Sequence, residues 1–318
     1  MNDKVVKALE QARRDRGLKD PAPPLMRMPR VSDPAPAAPA GVPSPLYRRP
    51  SYANAEPLRF APSGIDPHLV SLLDPISPRA EQYRTLRYIV EQAHRVEQVS
   101  ILAVSAPTVG DGKTTTAINL AGALAQASDA RVVLIDADLR RPSVHHYLGL
   151  GEVRLGLADA ILDTTLTLVD VVRPCPPYNL SVLPAGAPSP SPYELLKSPR
   201  LGQLFEEARL QYDYVIVDTP PLIPLPDCRI VGKHVDGFLL VVRAHKTRTK
   251  AFDEAARILD SSKVVGVVFN GSDDASLDES YAAAYGREGD RGGPSTKGWR
   301  RSFFKRRDDR GRRRTPYR

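Results

Sequence analysis

Three short blocks of this sequence hold residue types that together can grip a polyphosphate and a hard cation. The first is Gly110-Asp111-Gly112-Lys113-Thr114-Thr115, which follows the apolar run Val99–Val104 and precedes the helix-forming stretch Ala117–Ala127. Gly110 and Gly112 permit a loop whose backbone N–H groups turn inward on a phosphate. A helix beginning near Thr114 adds its positive N-terminal end. Lys113 can reach the β- and γ-phosphates, and the Thr114 hydroxyl can ligate Mg²⁺. Pro107 stands where the common phosphate-loop pattern has its first glycine. An accidental Gly-rich turn is the bland reading, and the strand before and helix after the loop argue against it.

The second block, Val132-Val-Leu-Ile-Asp136-Ala-Asp138-Leu-Arg140, puts two carboxylates at the end of an apolar strand. The third, Tyr214-Val-Ile-Val-Asp218-Thr-Pro-Pro, adds another. Any one strand-end Asp can be a helix cap. Three of them beside a phosphate loop suit Mg²⁺ and nucleotide, because hard cations take oxygen ligands. Spacing leaves open whether Asp136 or Asp138 accepts a proton from an attacking hydroxyl.

Those residues need a scaffold that gathers strand ends at one edge. Apolar runs at Val99–Val104, Val132–Ile135, Leu180–Leu183, Tyr214–Val217, Phe238–Val242 and Val264–Phe269 alternate with helical stretches. Runs apolar throughout, with helices between them, predict a doubly wound α/β domain with a mostly parallel sheet covered on both faces. Ligands of such sheets bind beyond the carboxyl ends of the strands. A helix is expected from Ser77-Pro78 through about His94, with Tyr83, Leu86, Tyr88, Ile89 and Val90 on its apolar face.

Taken together, Gly110–Thr115, Asp136-x-Asp138-x-Arg140 and Asp218-Thr-Pro-Pro resemble the bacterial tyrosine kinases of the CpsD/CapB type, over about Pro78–Gly271. The resemblance implies a P-loop NTPase fold with Walker A, Walker B and a second aspartate motif, using ATP and Mg²⁺. It implies that Gly110, Asp111, Gly112, Lys113, Thr114 and Thr115 bind the nucleotide, along with Arg243 and Asn270, the latter near adenine. Metal binding would fall to Thr114, Asp136 and Asp218, and catalysis to Lys113, Asp136, Asp138 and Asp218. Glu81-x-x-Arg84-x-x-Arg87 matches the family's self-association motif. Without that role the same residues would make an ordinary surface ion pair of a few tenths of a kcal/mol. A ring closed by this motif would present each C-terminal tail to a neighbour, with Tyr281, Tyr285 and Tyr317 as phosphoacceptors. The family's dense tyrosine run is absent here.

The resemblance further implies a kinase that sits at the inner membrane through a separate polysaccharide co-polymerase, which activates it. Control of exopolysaccharide or capsule polymerisation and export is the expected biology. The alternative is a partition- or septum-type ATPase of the same fold. Those ATPases carry an extra lysine early in the phosphate loop, and Ser105–Gly112 has none. The sparse tail tyrosines are the feature in the alternative's favour.

The rest of the 318 residues is read by composition. A possible short helix occupies 1–20, and a Pro-rich disordered linker is expected over 21–76, where thirteen of the 31 prolines lie between Pro21 and Pro67. The kinase domain is expected over 77–277, with 77–98 as its oligomerisation helix, and a tail over 278–318. No apolar run reaches the roughly 18 residues of a membrane-spanning helix, and the N-terminus lacks a signal's apolar region, so a cytoplasmic chain is expected. Cys175 and Cys228 are too few for a disulfide framework or a metal cluster. The net charge of +8 belongs to the tail, since residues 287–318 hold thirteen Lys/Arg against four Asp/Glu. That run, with Phe303-Phe304, reads as a solvated segment, as a contact with an anionic membrane surface, or, least well, as a nonspecific nucleic-acid contact.

Overall fold

A strand can be apolar on both sides only where helices cover both faces of its sheet. In the computed structural model, which describes residues 64–271 apart from 152 and 154, the inner strands meet that condition. Seven strands, β1 (Ile101–Ser105), β2 (Val132–Asp136), β3 (Arg173–Pro174), β4 (Leu180–Leu183), β5 (Tyr214–Asp218), β6 (Gly237–Arg243) and β7 (Val264–Asn270), form one sheet in the order β3-β4-β2-β5-β1-β6-β7. All neighbours are parallel except β3 and β4. Ile101 and Ala103 of β1 enter one hydrophobic cluster with Val133, Ile135 and Phe205. Leu102 and Val104 enter the opposite cluster with Leu134, Ile118 and Leu120. The doubly wound α/β expectation is thus met, and each of the six expected strands is present.

Two features differ from the sequence reading. β3 is a two-residue antiparallel edge with no apolar run to announce it. Residues 64–76, read from composition as the end of a Pro-rich linker, are part of the folded domain. Leu69 and Leu72 are buried there, around the short helix Val70–Leu73. Asn119, from the helix Lys113–Leu124, holds this segment: its Oδ1 accepts from Ser71 N at 2.9 Å and its Nδ2 donates to His68 O at 2.9 Å. Asp66 N donates to Tyr147 O, also at 2.9 Å.

The helix Pro78–Glu97 begins as expected. Ser77 Oγ accepts from Ala80 N, Pro78 fills the first turn where its missing N–H costs nothing, and Gln98 closes the helix at φ 58°. It buries Ala80, Val90 and Ala93, the last two in the cluster that also holds the helix Lys113–Leu124, whereas Tyr88 and Ile89 of the expected apolar face are exposed. The expected helix at 1–20, the remainder of the linker, and the tail with Tyr281, Tyr285, Tyr317 and the basic run lie outside the described residues.

Candidate active site

β5 lies between β1 and β2, so the loops leaving β1 and β2 diverge around it and open a crevice at the carboxyl edge. The phosphate loop leaves β1 on one side, and Asp136 and Asp138 leave β2 on the other. Gly110 and Gly112 have φ of 82° and 96°, values that side chains beyond glycine adopt only with strain. Gly112 is also where the helix Lys113–Leu124 begins, so its first N–H groups face the crevice.

Lys113 bridges the carboxylates. Its Nζ lies 3.0 Å from Asp138 Oδ2 and 3.6 Å from Asp218 Oδ1, and its side chain is only 12% exposed. Burial alone would make this ammonium easier to deprotonate, but Asp218 and Asp138 outweigh it and hold the group charged. Thr114 Oγ1 donates to Asp218 Oδ2 at 2.6 Å and lies 3.2 Å from Ser143 Oγ. Asp136 accepts from three backbone N–H groups: Asp138 at 3.1 Å, Ser143 at 3.0 Å and Val144 at 3.1 Å. Burial, and then the charge of Asp218, push the Asp136 carboxyl up to about 7. Asp218 is likewise raised by burial, against the pull of Lys113. Asp138 is bound only at Oδ1 by Arg141 N (3.1 Å) and at Oδ2 by Lys113.

The remaining expected nucleotide residues divide. Thr115 lies on the first turn of the helix Lys113–Leu124 and gives its carbonyl to Asn119. Asp111 turns its carboxylate away, into Thr108 and Thr247. Arg243 and Asn270 both reach the phosphate loop, on the carbonyls of Gly110 and Asp111 respectively. Sequence reasoning did not single out Ser143, Asp227 or Thr247. Asp227 is fully buried and pairs with Arg140, locking the loop after β2 to the helix Asp227–Val231. Ser143 and Thr247 lie close in sequence to Asp136 and Arg243, but their side-chain partners Thr114 and Asp111, like the Arg140 partner of Asp227, come from elsewhere in the chain. On the helix Pro78–Glu97, Arg84 pairs with Glu81 and also donates to Pro75 O. Arg87 instead turns inward, to Glu91 at 2.7 Å and Ala123 O at 2.9 Å.

The oxygens present suit Mg²⁺. Asp218 Oδ1 is buried without a hydrogen-bond partner, while the Thr114 hydroxyl donates to the sister oxygen and has the Ser143 hydroxyl 3.2 Å from its own oxygen. Among the described residues no cluster of three or more His, Cys, Asp or Glu forms a protein-only metal cage. Mg²⁺ is commonly held by one or two carboxylates, with phosphate oxygens and water completing the shell.

A family model described as an AAA domain matches residues 99–230. Tyrosine-protein kinase YwqD of Bacillus subtilis is 37% identical over 206 residues, which are 64% of this chain and 86% of that protein. Tyrosine-protein kinase wzc of Salmonella typhi is 33% identical over 204 residues, 64% of this chain but 28% of the longer relative. Among solved structures, the kinase domain of Escherichia coli tyrosine kinase ETK superimposes with a TM-score of 0.61 at 32% identity, covering 67% of this chain and 82% of that one. The BceF tyrosine kinase domain gives a TM-score of 0.57 at 33% identity, covering 64% and 81%. With the crevice, its carboxylates and these relatives in agreement, the chain belongs to the family of bacterial tyrosine kinases.

Proposed function

We propose that this protein-tyrosine kinase is an autokinase, transferring the γ-phosphoryl group of ATP to Tyr281, Tyr285 or Tyr317 of a neighbouring copy's tail. The observation that carries the reading is Lys113 held between Asp138 and Asp218 beside the Thr114 hydroxyl. Phosphoryl transfer needs positioning and charge neutralisation more than covalent chemistry from the protein. Gly110–Thr115 form the phosphate cradle, and Thr114, Asp136 and Asp218 form the metal side of the site. When bound, Mg²⁺ supplies charge neutralisation to the phosphate oxygens.

The geometry favours one answer to the question spacing left open. Both Asp136 oxygens are occupied by backbone N–H groups. Asp138 Oδ2 is occupied only by Lys113, a group suited to move onto nucleotide phosphates. Asp138 is therefore the proton acceptor for the attacking tyrosine hydroxyl, and Asp136 supports the metal side electrostatically.

The larger setting follows the family relationship. Copies associate through Glu81, Arg84 and Arg87 into a ring, and an inner-membrane polysaccharide co-polymerase activates the kinase in exopolysaccharide or capsule export. What supports this setting is the relationship to the tyrosine-protein kinases YwqD and wzc.

The test is phosphopeptide mass spectrometry on purified protein with ATP and Mg²⁺, with and without a candidate activator's cytoplasmic fragment, beside Lys113→Met. Phosphotyrosine at a tail position, absent from the variant, is expected. ATP consumption without phosphotyrosine, even with a bound activator, would establish the non-kinase ATPase reading instead.

A further inference from the structure

The outer side of the phosphate loop is held from the loop after β6 and from the end of β7. Gly110 O accepts from Arg243 Nη1 at 3.2 Å and lies 3.4 Å from Lys246 Nζ. Within a trans peptide the C=O and N–H point in opposite directions, so fixing this oxygen outward turns the Asp111 N–H to the other side. The next peptide repeats the arrangement. Asp111 O accepts from Asn270 Nδ2 at 3.0 Å, which opposes the Gly112 N–H. Cations and amides on a carbonyl also polarise the peptide and strengthen its N–H as a donor.

A side-chain bond joins the two halves. The Asp111 carboxylate is fully buried and accepts from Thr108 N and Oγ1, both at 2.9 Å, and from Thr247 Oγ1 at 2.9 Å. Among the described residues no Lys or Arg pairs with it, so these donors carry the buried charge. Thr247 Oγ1 accepts in turn from Arg243 N at 2.8 Å, which fixes the loop that supplies Arg243 and Lys246. Thr247 is thus both donor and acceptor at the one point where the two loops are tied through a buried carboxylate.

We infer that Thr247 is a positioning residue for nucleotide phosphates: with Lys246, Arg243 and Asn270 it holds the Gly110–Asp111–Gly112 peptides with their N–H groups turned onto the phosphates. The inference rests on the nucleotide-binding part of the function proposed above. It needs no acceptor tyrosine, so a chain that bound ATP but phosphorylated nothing would leave it standing. A side chain that touched the base directly would set which base is preferred. A side chain that shapes the phosphate loop weakens every nucleoside diphosphate alike.

The test measures ADP and GDP binding to the full chain with Mg²⁺ by calorimetry, in wild type, Thr247→Val, Thr247→Ser and Lys246→Met. Removing a hydrogen bond to a buried carboxylate predicts a loss of about tenfold in ADP affinity for Thr247→Val. Serine keeps the hydroxyl and is expected to restore affinity to within about twofold, with the ADP-to-GDP ratio unchanged in both variants. Lys246 is exposed, and its removal is expected to weaken both nucleotides about threefold without unfolding the chain. This variant carries the test if Thr247→Val does not fold. Unchanged ADP affinity in Thr247→Val and Lys246→Met, failure of serine to rescue, or a shifted ADP-to-GDP ratio would each overturn the inference. Wild-type protein that bound no ADP would overturn it together with the proposed function.

Discussion

Asp136 and Asp218 stand opposite each other in the register of β2 and β5, two buried carboxylates at the ends of adjacent parallel strands. Parallel pairing with β5 between β1 and β2 makes this proximity unavoidable once both strands end in Asp. Two like charges in a dry crevice disfavour ionisation of both, which is why burial and Asp218 together push the Asp136 carboxyl up to about 7 from its ordinary 3.8.

This pair makes nucleotide binding depend on pH. A carboxyl with a raised folded pKa keeps its proton where the unfolded chain has lost it. Its contribution to stability is therefore full below about pH 4 and declines as pH rises to about 7. Mg²⁺ and the cradle favour the charged form, so affinity for ADP with Mg²⁺ is expected to rise with pH through about 7 and level off above it. In Asp218→Asn the repulsion is removed, and the plateau moves to lower pH. Calorimetric titrations at several pH values check this. An affinity flat between about pH 5.5 and 7.5 in the wild type would count against the paired-carboxylate account.

Lys113 is the counter-charge to the whole group. Lys113→Met leaves Asp136, Asp138 and Asp218 without their shared cation, and breaking such a buried pair costs roughly 3 kcal/mol. Protonation of the carboxyls relieves the repulsion, so the loss in the nucleotide-free variant should be larger near pH 8 than near pH 5. Urea unfolding at both pH values reads it. A variant as stable as wild type at pH 8 would show that water, rather than Lys113, neutralises the site.

Gly112→Ala tests the phosphate loop's backbone. A Cβ at this position would collide with Asn270 Nδ2, in addition to the cost of the 96° φ. The left-handed conformation alone costs an alanine about 1–2 kcal/mol. We expect no measurable ADP binding and a lower melting temperature. Retained micromolar ADP binding would mean that the loop has a second workable conformation.

How much of this was legible in the sequence follows from where the information sits. Strands buried on both faces are apolar throughout, so Val132–Ile135 and Leu180–Leu183 announced β2 and β4. Asp136 and Asp218 were legible because they interrupt such runs at the edge where ligands bind. Composition misled at residues 64–76, where Leu69 and Leu72 anchor a segment whose neighbours upstream are Pro-rich. Ser143 and Thr247 were illegible because their partners, Thr114 and Asp111, are set by the order of strands in the sheet and not by spacing along the chain.

The misread segment gives its own prediction. Asn119 is fully buried and satisfies Ser71 N, His68 O and Thr115 O with one side chain. Asn119→Ala leaves Ser71 N and His68 O without this partner and should cost about 2 kcal/mol. Urea unfolding measures it, with limited proteolysis reporting cleavage near residues 64–76. A loss under about 0.5 kcal/mol would mean that Leu69 and Leu72 hold the segment by themselves.

The three residues of the Glu81-Arg84-Arg87 motif do not share one role within the chain, and this separates stability from association. Arg87 donates to Ala123 O near the end of the helix Lys113–Leu124, where a cation reinforces a carbonyl that Gln126 N reaches at 3.4 Å and complements the helix dipole. Arg87→Ala should therefore destabilise the monomer by about 1 kcal/mol. Arg84 and Glu81 are more than a third exposed and pair on the surface, where such a bridge contributes little to folding. One helical turn beyond them, Tyr88 and Ile89 remain exposed, leaving an apolar and charged face free for another copy. Arg84→Ala and Glu81→Ala should leave urea unfolding within about 0.5 kcal/mol of wild type while reducing self-association measured by light scattering. If both variants associate as wild type does, ring closure through this helix would have to rest on its apolar residues instead.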